Sequence, residues 1–155
     1  YLDYFHGLVT GRPPKINLQD EKYCQSFLRE AILKNYIISS HDISDGGLAV
    51  ALSECCISSS KGAVIELQDK NTRKDNLLFS EGGSRIIFSI NKKEEVNFLN
   101  FIKSRANDFS ESIYVKKIGF VTEDNLNIKV GDEEVCNLHV DKLTNKFNNS
   151  ISNYF

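Results

Sequence analysis

The chain predicts a mixed β-sheet with helices packed on it, in the α/β (α+β) class. Three observations lead there. Segments with helical apolar spacing interleave with short strand-like runs. No strict strand–helix–strand repeat is kept, because several strand-like runs follow one another late in the chain. One helix-length segment, Gly47 to Ser58, is apolar on nearly every side, as a helix covered on more than one face must be. A length of 155 residues suits one compact domain. The expected boundaries are an entry segment over 1–17 and a single domain over 18–155.

Each element has its own signal. Gly11-Arg12-Pro13-Pro14 predicts a rigid extended connection. From about Leu18 to Asn35, Tyr23, Phe27 and Ala31 form one helical row and Cys24, Leu28 and Ile32 the next, with Glu21, Lys22 and Arg29 toward the other face. Tyr36-Ile37-Ile38 predicts a short strand, and Ala63–Leu67 another after a break at Ser58–Gly62. Leu77-Leu78-Phe79 and Ser84–Ile90 flank Ser80-Glu81-Gly82-Gly83, a strand–glycine turn–strand pattern that predicts a hairpin or tight reversal. Residues 92–105 predict an amphipathic helix with Val96, Phe98, Leu99, Phe101 and Ile102 inward. Tyr114–Val121, Leu126–Val130 and Glu134–Leu138 predict strands. A last helix carries Val140, Leu143, Phe147, Ile151 and Tyr154 on one stripe, with Asp141 helping to cap it.

Composition narrows the function classes. The formal charge is −2 with both signs interspersed, which speaks against a nucleic-acid partner or an anionic membrane surface. No apolar run approaches the length of a membrane span, and no signal peptide opens the chain. The four cysteines form no C-x-x-C and read as buried free thiols, so the expected compartment is the cytoplasm. There is no methionine, which predicts a piece of a longer polypeptide.

The most informative run is His41-Asp42-Ile43-Ser44-Asp45-Gly46-Gly47-Leu48, where a polar loop joins the apolar helix directly. Glycine in a helix costs about 1 kcal/mol relative to alanine, so Gly46 and Gly47 need a reason. Either the backbone takes positive φ there or a neighbour approaches too closely for a Cβ. That neighbour is a phosphate-bearing ligand at the helix N-terminus, or simply a packed segment. Asp42 and Asp45 suit a shared Mg²⁺; equally, Asp45 or Ser44 caps the helix and Asp42 braces the loop. His41 suits phosphate donation or acid–base work, or a structural hydrogen bond. A second candidate is Glu81-Gly82-Gly83-Ser84-Arg85, whose glycines admit a ligand and whose Ser84 and Arg85 suit phosphate. The plain alternative is a turn with Arg85 paired to Glu81. His6 and His139 read as structural. No self-sufficient nucleotide motif is present, neither G-x-x-x-x-G-K-[ST] nor G-x-G-x-x-G, so any site here is half a site.

The run His41 to Glu54 resembles the C-terminal portion of the phosphoribosylformylglycinamidine synthase family, in its large (synthetase) subunit. Three more stretches agree in order: His6–Pro14, Leu78–Arg85 and Ile118–Thr122. The thiamine-monophosphate kinases share an Asp-Ile-Ser-Asp-Gly core only, and a stand-alone phosphate-ligand binding module is a further alternative. The resemblance implies the C-type domain of the second half of that enzyme, within the aminoimidazole ribonucleotide synthase-like superfamily. It implies an ATP-dependent C–N ligase of purine biosynthesis that uses ammonia from a partner glutaminase, with a small accessory subunit as a further partner. Its catalytic histidine and magnesium ligands lie outside this chain, and ATP and Mg²⁺ are bound mostly elsewhere. By position, His41-Asp42 and Glu81-Gly82-Gly83 match substrate-contacting residues of the first half, although there they are Gln-Asp and Glu-Ser-Gln. The expected role of this domain is therefore mainly architectural, with a phosphate contact at its glycine loops.

Overall fold

The computed structural model describes residues 2–11, 15–68, 71–105 and 114–150. The chain divides into two compact units, Tyr1–Gly47 with Glu81–Lys116, and Leu48–Ser80 with Lys117–Phe155.

The first unit is built on an aromatic cluster. Helix α1 (Leu2–His6) precedes α2 (Leu18–Leu33), whose start is fixed by Asn17 accepting from the Gln19 and Asp20 amides. Asn17→Ala is expected to cost about 1 kcal/mol and to speed hydrogen exchange at those two amides. The helix ends with Asn35 at φ 59, where Asn35 N–H donates to Ile32 and Tyr36 N–H to Ala31. That is a Schellman closure with asparagine in the left-handed position. Strand β1 (Ile37–Asp42) pairs antiparallel with β3 (Ile86–Ile90). A 3-10 turn (Lys92–Glu94) then leads into α5 (Glu95–Arg105). Ala31, Phe98 and Phe101 are buried, and Phe27, Tyr36, Phe88 and Ile90 pack on them. The Phe27 and Phe101 rings stack at 5.2 Å, a geometry that adds about 0.5–1.5 kcal/mol beyond burial.

The second unit holds the mixed sheet. Its four strands run in the order β4 (Gly119–Thr122), β2 (Gly62–Leu67), β5 (Asn125–Val130), β6 (Glu133–His139). Only the central β2–β5 pair is parallel. Its register sets Ala63 beside Leu126, Ile65 beside Ile128 and Leu67 beside Val130. All six are buried, so period-2 alternation buries one face of both strands together. The larger ones contribute about 1.5–3 kcal/mol each. Helix α3 (Gly47–Ser59) shows no exposed residue from Gly47 to Ile57, which bears out its all-round apolar reading.

Several expectations need correction. Leu77-Leu78-Phe79 is not a strand: it ends helix α4 (Lys74–Phe79), and β3 pairs with β1, so no hairpin forms across Ser80–Gly83. A three-residue apolar run has no period to read, while Arg73 bonded to Asp75 favours the helical turn. The strand expected over Tyr114–Val121 is confined to Gly119–Thr122. On α5, Val96 and Leu99 face outward, at 69% and 48% exposure, because Phe98 and Phe101 define the buried side. Helix α6 (Val140–Asn149) is capped by His139 Nδ1, which accepts from Asp141 N–H at 3.2 Å, so Asp141 stands inside the first turn. The 1–17 segment carries helix α1, while Arg12, Pro13, Pro14, Ile151 and Tyr154 lie outside the described residues.

All four cysteines are free. Burial pushes the Cys56 thiol up from 9.0 to about 11. Folding thus favours the neutral thiol, a contribution complete below pH 9 and lost as pH rises through about 11. Alkylation at pH 8 is expected to label Cys56, only 4% exposed, more slowly than the half-buried Cys24, Cys55 and Cys136; in denaturant the difference disappears.

Candidate functional site

Strand pairing brings the two glycine loops together. In the β1–β3 ladder His41 lies opposite Ile87 and Asp42 opposite Ile86. One residue further on, Ile43 N–H donates to the Arg85 carbonyl at 2.9 Å, so the 43–47 bend starts beside the 81–85 turn. Ile43 is buried and anchors the bend, leaving Asp42, Ser44 and Asp45 exposed.

The glycine pair takes positive φ, at 78° for Gly46 and 69° for Gly47. Any other residue would pay about 1–2 kcal/mol in that region. Gly47 N–H donates to the Ser44 carbonyl at 3.0 Å, closing the turn, and Gly47 is buried. Gly46 N–H donates to Glu81 Oε1 at 3.0 Å. A carboxylate from the second loop therefore takes the donor that the sequence offers to an anion. Glu81 thus reaches across from the second loop to the glycine bend.

The turn itself is held from α2. Ser84 sits at φ 58, left-handed for a non-glycine residue. Its Oγ donates to Glu21 Oε1 at 2.8 Å, and its carbonyl accepts from Cys24 Sγ at 3.8 Å. Gly83 lies against the same carboxylate: a Cβ there would stand 2.6 Å from Glu21 Oε1. Glu21 is the site residue that the sequence reading missed. Its spacing to Cys24, Gln25 and Leu28, three, four and seven residues on, was the available signal, since it puts Glu21 on the Cys24 row.

His41 Nδ1 lies 2.6 Å from the Asp42 carbonyl oxygen and 3.7 Å from Asp42 Oδ1, so its ring is engaged with the next residue. Among the described residues no group of three or more His, Cys, Asp or Glu side chains is arranged to hold a metal ion. Asp42 and Asp45 alone do not make a magnesium site. The two loops together carry three carboxylates, Asp42, Asp45 and Glu81, against one guanidinium, Arg85. His6 and His139 stand in other elements. No helix among the described residues is long and apolar enough to cross a membrane.

The chain is 76% and 74% identical, over its whole length, to phosphoribosylformylglycinamidine synthase subunit PurL of Prochlorococcus marinus strain MIT 9515 and of Prochlorococcus marinus subsp. pastoris strain CCMP1986 respectively. It spans 20% of the length of each of those relatives. Among solved structures, phosphoribosylformylglycinamidine synthase II of Thermotoga maritima superposes with a TM-score of 0.70 at 17% identity, covering 88% of this chain and 24% of that one. A Thermotoga maritima PurL complexed with ATP gives 0.69 at 18% identity, covering 88% and 24%. At these identities the structures establish the fold, a helix-packed mixed sheet. The family model described as AIR synthase related protein, C-terminal domain, matches residues 1–130. With both glycine loops and both compact units represented in that match, the chain belongs to the AIR synthase related protein family, as its C-terminal domain.

Proposed function

We propose that this chain is the C-type domain from the second half of a phosphoribosylformylglycinamidine synthase. The intact protein is an ATP-dependent C–N ligase that converts formylglycinamide ribonucleotide and glutamine-derived ammonia to formylglycinamidine ribonucleotide. The observation that carries this reading is the end-to-end similarity to PurL subunits, still 42% identical over 97% of this chain in a further Prochlorococcus marinus strain. Both units, with the 1–17 entry segment leading in, count as one family domain.

The domain's own part is mainly architectural. His41, Asp42, Ser44, Asp45, Gly46, Gly47 and the Glu81–Arg85 turn form its polar surface toward a nucleotide. The Gly46 amide and the Ser84 hydroxyl, the donors best suited to phosphate, are both given to carboxylates. Three carboxylates against one guanidinium repel a polyphosphate, so ATP and its magnesium are assigned to other domains of the same polypeptide. The remaining partners are a glutaminase that delivers ammonia and a small accessory subunit. The protein is assigned to the cytoplasm.

The test uses the full-length protein with formylglycinamide ribonucleotide, ATP and ammonium. Formation of the amidine with matching ADP release is the expected result. No turnover of formylglycinamide ribonucleotide, or phosphorylation of thiamine monophosphate when that is offered with ATP in its place, overturns the reading.

A further inference from the structure

We propose that Glu21 is a positioning residue, setting Glu81 on the Gly46 amide by holding the 81–85 turn from helix α2. The proposal rests on the reading that the two glycine loops form one polar surface, and it assigns the part that fixes their spacing. Three contacts converge on one carboxylate. Ser84 Oγ donates to Glu21 Oε1 at 2.8 Å, Gln25 Nε2 lies 3.5 Å from Oε2, and bare Gly83 fits against Oε1. Glu21 is itself tied down, because its N–H donates to the Asn17 carbonyl at 3.0 Å in the capped first turn of α2.

The consequence is a relay without direct contact between its ends. The left-handed conformation of Ser84 turns the chain between Glu81 and β3, and a free serine has no reason to stay there. A charge-assisted hydrogen bond to Glu21 supplies the reason. With the turn fixed, Glu81 Oε1 sits 3.0 Å from the Gly46 nitrogen and holds the left-handed glycine pair shut. Gly83 is part of the device because its Cα offers the carboxylate room that any side chain would take. The atom a Cβ would strike is the tip of a flexible side chain, so the relief is movement of Glu21, not of backbone.

The experiment measures hydrogen exchange at the Gly46 amide in the full-length protein, with amides of the Phe98–Phe101 core as reference. Glu21→Ala is expected to speed exchange at Gly46 by about ten-fold while the core amides stay within about two-fold. Glu21→Gln, whose amide oxygen still accepts from Ser84, is expected to restore protection to within about three-fold of the parent. Gly83→Ala is expected to imitate Glu21→Ala, and in the Glu21→Ala background the same change adds nothing further. Unchanged Gly46 exchange in Glu21→Ala overturns the proposal. So does equal acceleration of the core amides, or additivity of the two alanine changes. Because none of these readouts uses turnover, a failed synthase assay leaves this test intact, and the reverse holds as well.

Discussion

Gly119→Ala is expected to detach β4 from β2 and to cost about 3 kcal/mol, the upper range for overpacking into a site that cannot give. The added Cβ would overlap the Val64 carbonyl oxygen and stand 3.0 Å from Ile65 Cα. Both obstacles are main chain in the middle of the sheet, so neither can swing aside. The β2–β4 register, Ile65 with Gly119 and Val64 with Phe120, exists only at this close approach. Exchange at β2 amides and the unfolding temperature of the full-length protein check the expectation. Gly131→Ala is the control: its φ is 60° with nothing within 4 Å, so it carries backbone strain alone and is expected to cost about 1 kcal/mol. Equal effects at the two sites would show that steric overlap is not what fixes Gly119.

The second large effect is expected at Gly47. Valine there must adopt a φ of 69°, where a β-branched side chain is a strong outlier, at a buried position that opens α3. The combined cost is about 3 kcal/mol, with Gly47→Ala nearer 1–2 kcal/mol. Loss of the turn also frees the Gly46 amide from Glu81, so the two loops separate in the variant. Soluble yield and thermal unfolding of the full-length protein report the first effect, and exchange at Gly46 the second. A Gly47→Val protein as stable as its parent would contradict the left-handed geometry.

What the sequence made legible follows from how each signal arises. The glycine pair announced itself because two helix-breaking residues ahead of an apolar helix have few explanations, and positive φ is the one found. The mixed sheet was readable from runs of branched residues without an intervening helix, and the buried alternation of β2 and β5 confirms it. The 77–79 segment was misread because helix and strand bury a three-residue apolar run equally well. Val96 and Leu99 were misplaced because an apolar side chain does not state which face it takes; the aromatic cluster on the Phe98 side decides it. Glu21 was overlooked for the opposite reason. A charged residue in a first helical turn reads as solvent-facing, and only the fold brings Ser84, sixty-three positions away, within hydrogen-bond reach.

The two glycine loops are joined through Glu81 and the Gly46 amide, and an experimental structure of the full-length protein tests that joining most directly. The expected density shows Gly46 and Gly47 both left-handed, with the Glu81 carboxylate about 3 Å from the Gly46 nitrogen. Right-handed glycines in a bend open to solvent, with Glu81 turned away, would contradict it.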